Sequence, residues 1–296
     1  MRERNSYPEI PEKYLDEFIG RALSEDIGTG DITSEILIPS DLQGRAFLLV
    51  KDRGVLAGID VARKVFLRVD PSLRVELHFA DGARVKSGDR VADISGRVTG
   101  ILKAERTALN ILQRLSGIAT QTAKYVAKTR GLAVKVADTR KTTPGLRMLE
   151  KYAVRMGGGY NHRLDMSDGI LIKDNHLAAQ RTLGKSLKDA VIAAKKKAPS
   201  GLPVEVEVTS VDEALSAAEA GADIIMLDNM TPEEMSRAVS VLPPGIKTEA
   251  SGGVTLANIR AVASTGVDIV SVGALTHSPK VLDISLELEP QMLKLF

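Results

Sequence analysis

Apolar positions near the start of the chain fall at helical spacing. Tyr14, Leu15, Phe18, Ile19, Ala22 and Leu23 mark an amphipathic helix that stops before the turn-rich GTGD at 28–31. From Gly44 to Val98 the rhythm shortens: RAFLLV, LRVELHFA and ARVKSGDRVADISGRV read as strands, punctuated by Asp81-Gly82 and Gly88-Asp89. This stretch predicts an α+β domain with a mostly antiparallel sheet. A long helical pattern follows from about Ile101 to Lys128. After it, KVADTRKTTPG, GILIKDNH, PVEVEVTS, ADIIMLDNM, IKTEASGG and VDIVSVGALTH each set an apolar strand before a polar or glycine-rich loop. The last four strand ends fall near Val208, Leu227, Ala250 and Val272, a repeat of about 22 residues that marks β/α units.

The helices between these strands carry their own boundary signals. Thr231, Pro232 and Glu234 combine an N-cap, a first-turn proline and a capping-box acid, while Gly221 and Gly266 stand where C-caps belong. Repeated β/α units with polar strand ends predict a β/α barrel whose site lies at the C-terminal ends of the strands. An open doubly wound sheet is the alternative that the pattern leaves open. The expected division is an N-terminal α+β domain over 1–115 and a barrel over 116–280. The tail 281–296 has no place in the barrel rhythm and is expected to return to the first domain.

Composition narrows the class. With 296 residues, 44% hydrophobic and 26% charged, the chain is long enough for a substantial core. A net charge of +2 disfavours a general polyanion binder, so no nucleic-acid partner is expected. The chain has no cysteine, which excludes disulfides and thiolate metal sites. MRERNSYPEIPEKY lacks the apolar core of a secretory leader, and no run reaches the roughly 18 apolar residues of a membrane span. A cytoplasmic protein with no membrane partner is the expectation. Five Tyr, five Phe and no Trp suit alanine-rich helices on β-branched strands better than a base-stacking platform.

In a β/α barrel the residues just past each strand share one mouth. In order they are Arg140 and Lys141, Lys173, Glu207, Asp228, Ser251-Gly252-Gly253 and Gly273. Arg140, Lys141, His162, Arg163 and Lys173 form a cationic group suited to an anionic substrate, because arginine forks bind carboxylates in pairs and lysine supplies a point charge. Adjacent strand residues point to opposite faces, so Arg140 and Lys141 share a site only from the loop beyond the strand. A solvated charged face is the plainer reading of such clusters, and it fits Arg147, Lys151 and Arg155 better. Arg106 lies on an apolar stripe with Leu102 and Leu109; it either snorkels at the core's edge or is offered to another subunit. Glu205 and Glu207 alternate with valines and point to one face. Glu207 and Asp228 suit Mg²⁺, while Glu205, deeper along its strand, reads as structural. Ser251-Gly252-Gly253 and Val272-Gly273-Ala274 read as glycine turns that feed helix N-termini and present N–H groups to a phosphate.

At this point the motifs identify a family. EDIGTGDITS at 25–34, AERTALNIL at 104–112, DTRKTTPGLRMLEKYAVRMGGGYNHR at 138–163 and LIKDNH at 171–176 closely resemble quinolinate phosphoribosyltransferases. So do VEVEV at 204–208, LDN at 227–229, EASGG at 249–253 and VGALTH at 272–277. The resemblance implies a glycosyltransferase of pyridine nucleotide and NAD biosynthesis that takes quinolinate, phosphoribosyl pyrophosphate (PRPP) and Mg²⁺. Its products are nicotinate mononucleotide, pyrophosphate and CO₂. It also implies an N-terminal α+β sandwich domain packed on an incomplete β/α barrel, and a homodimer or larger homo-oligomer with Arg106 donated across the interface. By motif, Arg140, His162, Arg163 and Lys173 are implied as quinolinate-binding cations and Lys141 as a pyrophosphate contact. Thr139 joins the substrate-binding set. Glu207 and Asp228 are implied as ribose and Mg²⁺ carboxylates, and the loops 251–253 and 272–274 as the 5′-phosphate cradle. Lys141, Lys173, Glu207 and Asp228 are the residues expected to carry catalysis. Three rivals remain: a related enzyme using nicotinate, a barrel that binds a phosphorylated ligand without catalysis, and a divergent paralogue in metal uptake.

Overall fold

The computed structural model describes residues 10–295; the first nine residues of the polar N-terminal stretch lie outside that range. In chain order the elements are α1 (Glu12–Ile27), α2 (Ile32–Leu37), β1 (Gln43–Val50), β2 (Gly54–Val55), α3 (Ile59–Val69), β3 (Arg74–Leu77), β4 (Arg84–Val85), β5 (Arg90–Arg97) and α4 (Val98–Lys128). Then follow β6 (Lys135–Ala137), α5 (Arg147–Met156), β7 (Ile170–Ile172), α6 (Asp174–Thr182), α7 (Leu187–Lys197), β8 (Val204–Val208), α8 (Val211–Glu219) and β9 (Ile224–Asp228). The chain ends with α9 (Pro232–Val241), β10 (Lys247–Ser251), α10 (Ile259–Ala263), β11 (Ile269–Ser271), α11 (Ala274–His277) and β12 (Ile284–Leu288). Within the described residues, one unit comprises 10–123, 143–158 and 278–295, and the other 124–142 and 159–277.

The first unit carries a four-stranded antiparallel sheet ordered β12-β1-β5-β3. β1 alternates half-buried and buried positions, with Ala46, Leu48 and Val50 at 0–1% exposure, as period-2 patterning requires. The tail supplies β12, which pairs with β1 from Ala46↔Leu288 to Val50↔Ile284. Between the strand runs of 44–98, Ile59, Ala62, Val65 and Phe66 recur at helical spacing and form the buried face of α3. One sequence expectation needs correction here. Lys151 is not part of a solvated row: it is 1% exposed on α5, whose Leu149, Glu150, Ala153 and Val154 are also buried. A helix buried over most of its circumference leaves no outer face for an i,i+4 charge ladder.

The second unit holds a six-stranded parallel sheet ordered β6-β11-β10-β9-β8-β7. Tyr160 adds a parallel bridge to Ala137 on the free side of β6. His162, two residues past that bridge, places Nε2 3.3 Å from Glu205 on β8 and 3.4 Å from Glu249 on β10. In a flat sheet, β8 would stand several strands away from His162 at roughly 4.8 Å per strand. The sheet therefore curls into an incomplete barrel, and the open-sheet alternative falls. Val204, Val206 and Val208 on the outer face are at most 1% exposed beneath the helices, each such valine contributing about 1.5–3 kcal/mol by burial. The expected caps form: Thr231 and Glu234 bond reciprocally, and Gly221 ends α8's turn at φ +90°.

Candidate active site

Strand register fixes which side chains share the inner face. Leu171, Glu205, Ile224 and Lys247 are in register across β7, β8, β9 and β10. One step further along, Glu207, Met226, Glu249, Ile269 and Lys135 are in register from β8 to β6. Asp228 and Ser251 pair beyond them, toward the strands' C-terminal ends. Register partners in a parallel sheet point the same way. Glu205, Glu207, Asp228, Glu249 and Ser251 thus all face inward, in rising layers.

The cations gather at the mouth. β6 ends at Ala137, so Thr139, Arg140 and Lys141 lie in the loop beyond, where Lys141 N–H donates to Thr139 Oγ1 at 3.0 Å. Arg163 donates through Nη1 to Gly169 O at 3.1 Å. Burial lowers the Arg163 pKa, and the positive charge of Arg140 lowers it further. Two half-buried guanidiniums thus bear on one another, and Arg140 Nε is buried with no hydrogen-bond partner. Like charges with an orphaned donor are costly unless an anion sits between them. The Lys141 side chain lies against Gly273, where an added Cβ would stand 3.1 Å from Lys141 Cδ. Thr276 Oγ1 donates to Lys141 O at 2.8 Å, tying that loop to α11.

Below the mouth, three buried groups converge. His162, Glu205 and Glu249 are 8%, 4% and 0% exposed. Burial pulls the His162 pKa down, but the Glu249 and Glu205 carboxylates more than offset this and raise it. Burial and the neighbouring Glu249 charge push the Glu205 carboxyl up. The cluster therefore keeps more protons at neutral pH than its separate groups would. The Arg163 backbone N–H donates to His162 Nδ1 at 2.8 Å, which demands a lone pair on that nitrogen. The ring so held carries its proton on Nε2, facing the two carboxylates, and the cluster's extra proton lies on the carboxylate side. The loop is also held by Asp138, wholly buried, whose carboxylate accepts from His162 N at 2.8 Å and Asn161 Nδ2 at 2.6 Å.

The carboxylates at the mouth have partners of their own. Lys173 Nζ meets Glu207 Oε2 at 2.6 Å, so these two expected site residues neutralise each other. Asp228 accepts from Asn229 Nδ2 at 2.8 Å. Among the described residues Asn229 alone is a non-glycine at positive φ, +52°, and its amide fills the space a Cβ on Gly252 would need, 2.3 Å away. Ser251-Gly252-Gly253 does not feed a helix directly, because α10 begins only at Ile259. Val272-Gly273-Ala274 does run straight into α11. Two groups could take a cation. His162, Glu205 and Glu249 offer one nitrogen and two oxygens within 4.8 Å of one another. Glu207 and Asp228 offer only oxygens, which suits Mg²⁺.

Family models described as quinolinate phosphoribosyl transferase match the chain in both parts, the N-terminal domain at 31–116 and the C-terminal domain at 118–287. The chain belongs to the quinolinate phosphoribosyltransferase family. The probable nicotinate-nucleotide pyrophosphorylase (carboxylating) of Bacillus subtilis is 43% identical over 92% of this chain and 93% of its own length. The nicotinate-nucleotide pyrophosphorylase (carboxylating) of Mycobacterium leprae is 44% identical, over 91% of this chain and 95% of its own. The NadC structure from Streptococcus pyogenes aligns with a TM-score of 0.90 at 43% identity, covering 96% of this chain and 99% of that one.

Within this quinolinate phosphoribosyltransferase chain, the barrel unit brings together Thr139, Arg140, Lys141, His162, Arg163, Lys173, Glu207, Asp228 and both glycine loops. Arg106 belongs to the other unit, on α4, with its side chain 59% exposed. Asp138 and Glu249 were missed as individual residues, although both stand inside the motifs DTRKTTPG and EASGG. Their signal is a carboxylate on the inner face of a barrel strand or at its end, beside apolar neighbours.

Proposed function

We propose that the protein transfers the phosphoribosyl group of PRPP to quinolinate with loss of CO₂, giving nicotinate mononucleotide and pyrophosphate. The observation that carries this reading is the Arg140–Arg163 pair with its unbonded, buried Nε. Such a pair fits a planar dicarboxylate better than a neutral ring or a monoacid.

Arg140, Arg163 and Lys173 bind the two carboxylates, Lys173 exchanging its bond to Glu207 for one to substrate. The ring nitrogen attacks C1′ of the ribose as the bond from C1′ to the pyrophosphate oxygen breaks. Positive charge builds on the ribose, and Glu207 and Asp228 stabilise it from the adjacent strands. Lys141, lying over Gly273, holds the departing pyrophosphate, and the loops 251–253 and 272–274 hold the 5′-phosphate through backbone N–H groups. The alkylated nitrogen then draws the electron pair of the breaking C2–CO₂ bond, and C2 takes a proton. Mg²⁺, held by Glu207 and Asp228, would supply charge neutralisation to the pyrophosphate oxygens. The reading includes a cytoplasmic homodimer or larger homo-oligomer in which the exposed Arg106 completes the neighbour's site. In keeping with it, no helix among the described residues is long and apolar enough to cross a membrane.

The test is a product assay with quinolinate, PRPP and Mg²⁺ that follows nicotinate mononucleotide and CO₂ together. Equal amounts from quinolinate and none from nicotinate are expected; turnover of nicotinate alone overturns the dicarboxylate assignment. For the shared site, Arg106→Ala and Lys173→Ala are each expected to be inactive. Mixing them should restore about a quarter of wild-type activity, because half of random dimers carry one intact site. No recovery on mixing rules out donation across subunits.

A further inference from the structure

Two charged groups in the barrel have no part in the reaction above: Glu205 and Glu249, 4% and 0% exposed. We propose that both are positioning residues for dicarboxylate binding, acting on Arg163 through the ring of His162. The proposal rests on the reading of Arg163 as a substrate-binding cation.

The geometry is a relay of contacts. Glu205 on β8 and Glu249 on β10 approach His162 Nε2 at 3.3 and 3.4 Å from two directions, fixing where the ring lies in the barrel. Asp138, at the end of β6, fixes the backbone of the same residue through His162 N. Nδ1 of the ring so held accepts the Arg163 N–H at 2.8 Å. The guanidinium of Arg163, secured at its far end by Gly169 O, is thereby presented beside Arg140. Both ring nitrogens of His162 are engaged within the fold, and the residue is 8% exposed. It acts on the substrate through Arg163 and not as a direct hydrogen-bond donor.

A purely structural role explains this arrangement poorly. Glu205 Oε1 and both Glu249 oxygens are buried without a hydrogen-bond partner. Two carboxylates around one donor hold a core less well than apolar side chains of the same volume. What they do supply is a directional hold on one imidazole, and an apolar pair has none.

The experiment combines Glu205→Gln, Glu249→Gln and His162→Asn, singly and as double variants, with steady-state kinetics and ¹⁵N NMR of the four histidines. Each glutamine variant is expected to raise KM for quinolinate about tenfold, the effect of removing one buried carboxylate charge that faces Nε2. The kcat and the KM for PRPP should stay within about twofold. In the His162→Asn background, which cannot reach either glutamate, adding Glu249→Gln should change nothing further. Additive losses, equal rises in both KM values, or a loss confined to melting temperature would each overturn the proposal. The His162 ring signals should show an unprotonated Nδ1 in the wild type and move in Glu249→Gln. That readout needs no turnover, so an enzyme inactive on quinolinate defeats the functional reading while the relay is still judged; unmoved signals defeat the relay itself.

Discussion

Charged residues are arranged differently in the two units. In the antiparallel unit the buried carboxylates Asp93 and Asp70 are matched. Asp93 receives Arg45 Nη2 at 2.5 Å, the Arg90 guanidinium, and His78 Nε2 at 3.4 Å. Asp70 is met by Arg97 at 2.8 Å and by both the hydroxyl and the N–H of Ser72. In the barrel like stands beside like: Arg140 with Arg163 at the mouth, Glu205 with Glu249 beneath it. Matched charges hold a fold together. Unmatched ones cost stability, and they persist where a ligand completes them.

That contrast can be broken from either side. Removing one of the like-charged cations, as in Arg140→Leu, is expected to lower kcat/KM for quinolinate by about 100- to 1000-fold. The melting temperature should hold or rise, since repulsion is relieved and an orphaned donor removed. A fall of several degrees would show that Arg140 is structural. The opposite behaviour is expected of Asp93→Asn. Burial pushes the Asp93 carboxyl up, yet Arg90 and Arg45 outweigh it and hold the pKa below the ordinary range. Losing that charge should destabilise the fold by about 2 kcal/mol, less than a fully buried pair because both arginines are partly exposed. Activity per folded molecule should remain; denaturant unfolding paired with active-site titration checks both.

A smaller effect sharpens the comparison through pH. The Arg97 hydrogen bond, aided by Ser72, holds the Asp70 pKa at about 2 against the effect of burial. Because the folded value is depressed, the contribution is fully present above about pH 4 and is lost as pH falls through about 2. Arg97 is half exposed, so solvent screening makes this contribution small. Asp70→Asn should flatten that part of the acid limb of the stability curve. An unchanged limb would mean that the pair contributes nothing measurable.

Some of this was readable from one dimension. Local alternation placed Glu205 and Glu207 on one strand face, the spacing of strand ends marked the β/α units, and the capping box at Thr231 and Glu234 set the start of α9. These are short-range patterns, fixed by residues a few positions apart. The motif around Arg140 and the NHR at 161–163 marked the cationic mouth. What the pattern could not show depends on residues far apart in sequence. The edge pairing of β12 with β1 joins positions separated by most of the chain. Lys151 looked solvated because neighbours on one helix say nothing of what covers them. The convergence of His162, Glu205 and Glu249 requires the sheet to curl, which no local periodicity encodes. The sequence by itself determined which residues carry charge and which strands they end; only the tertiary structure decided which charges were left without a partner, because pairing across a barrel is set by register and curvature.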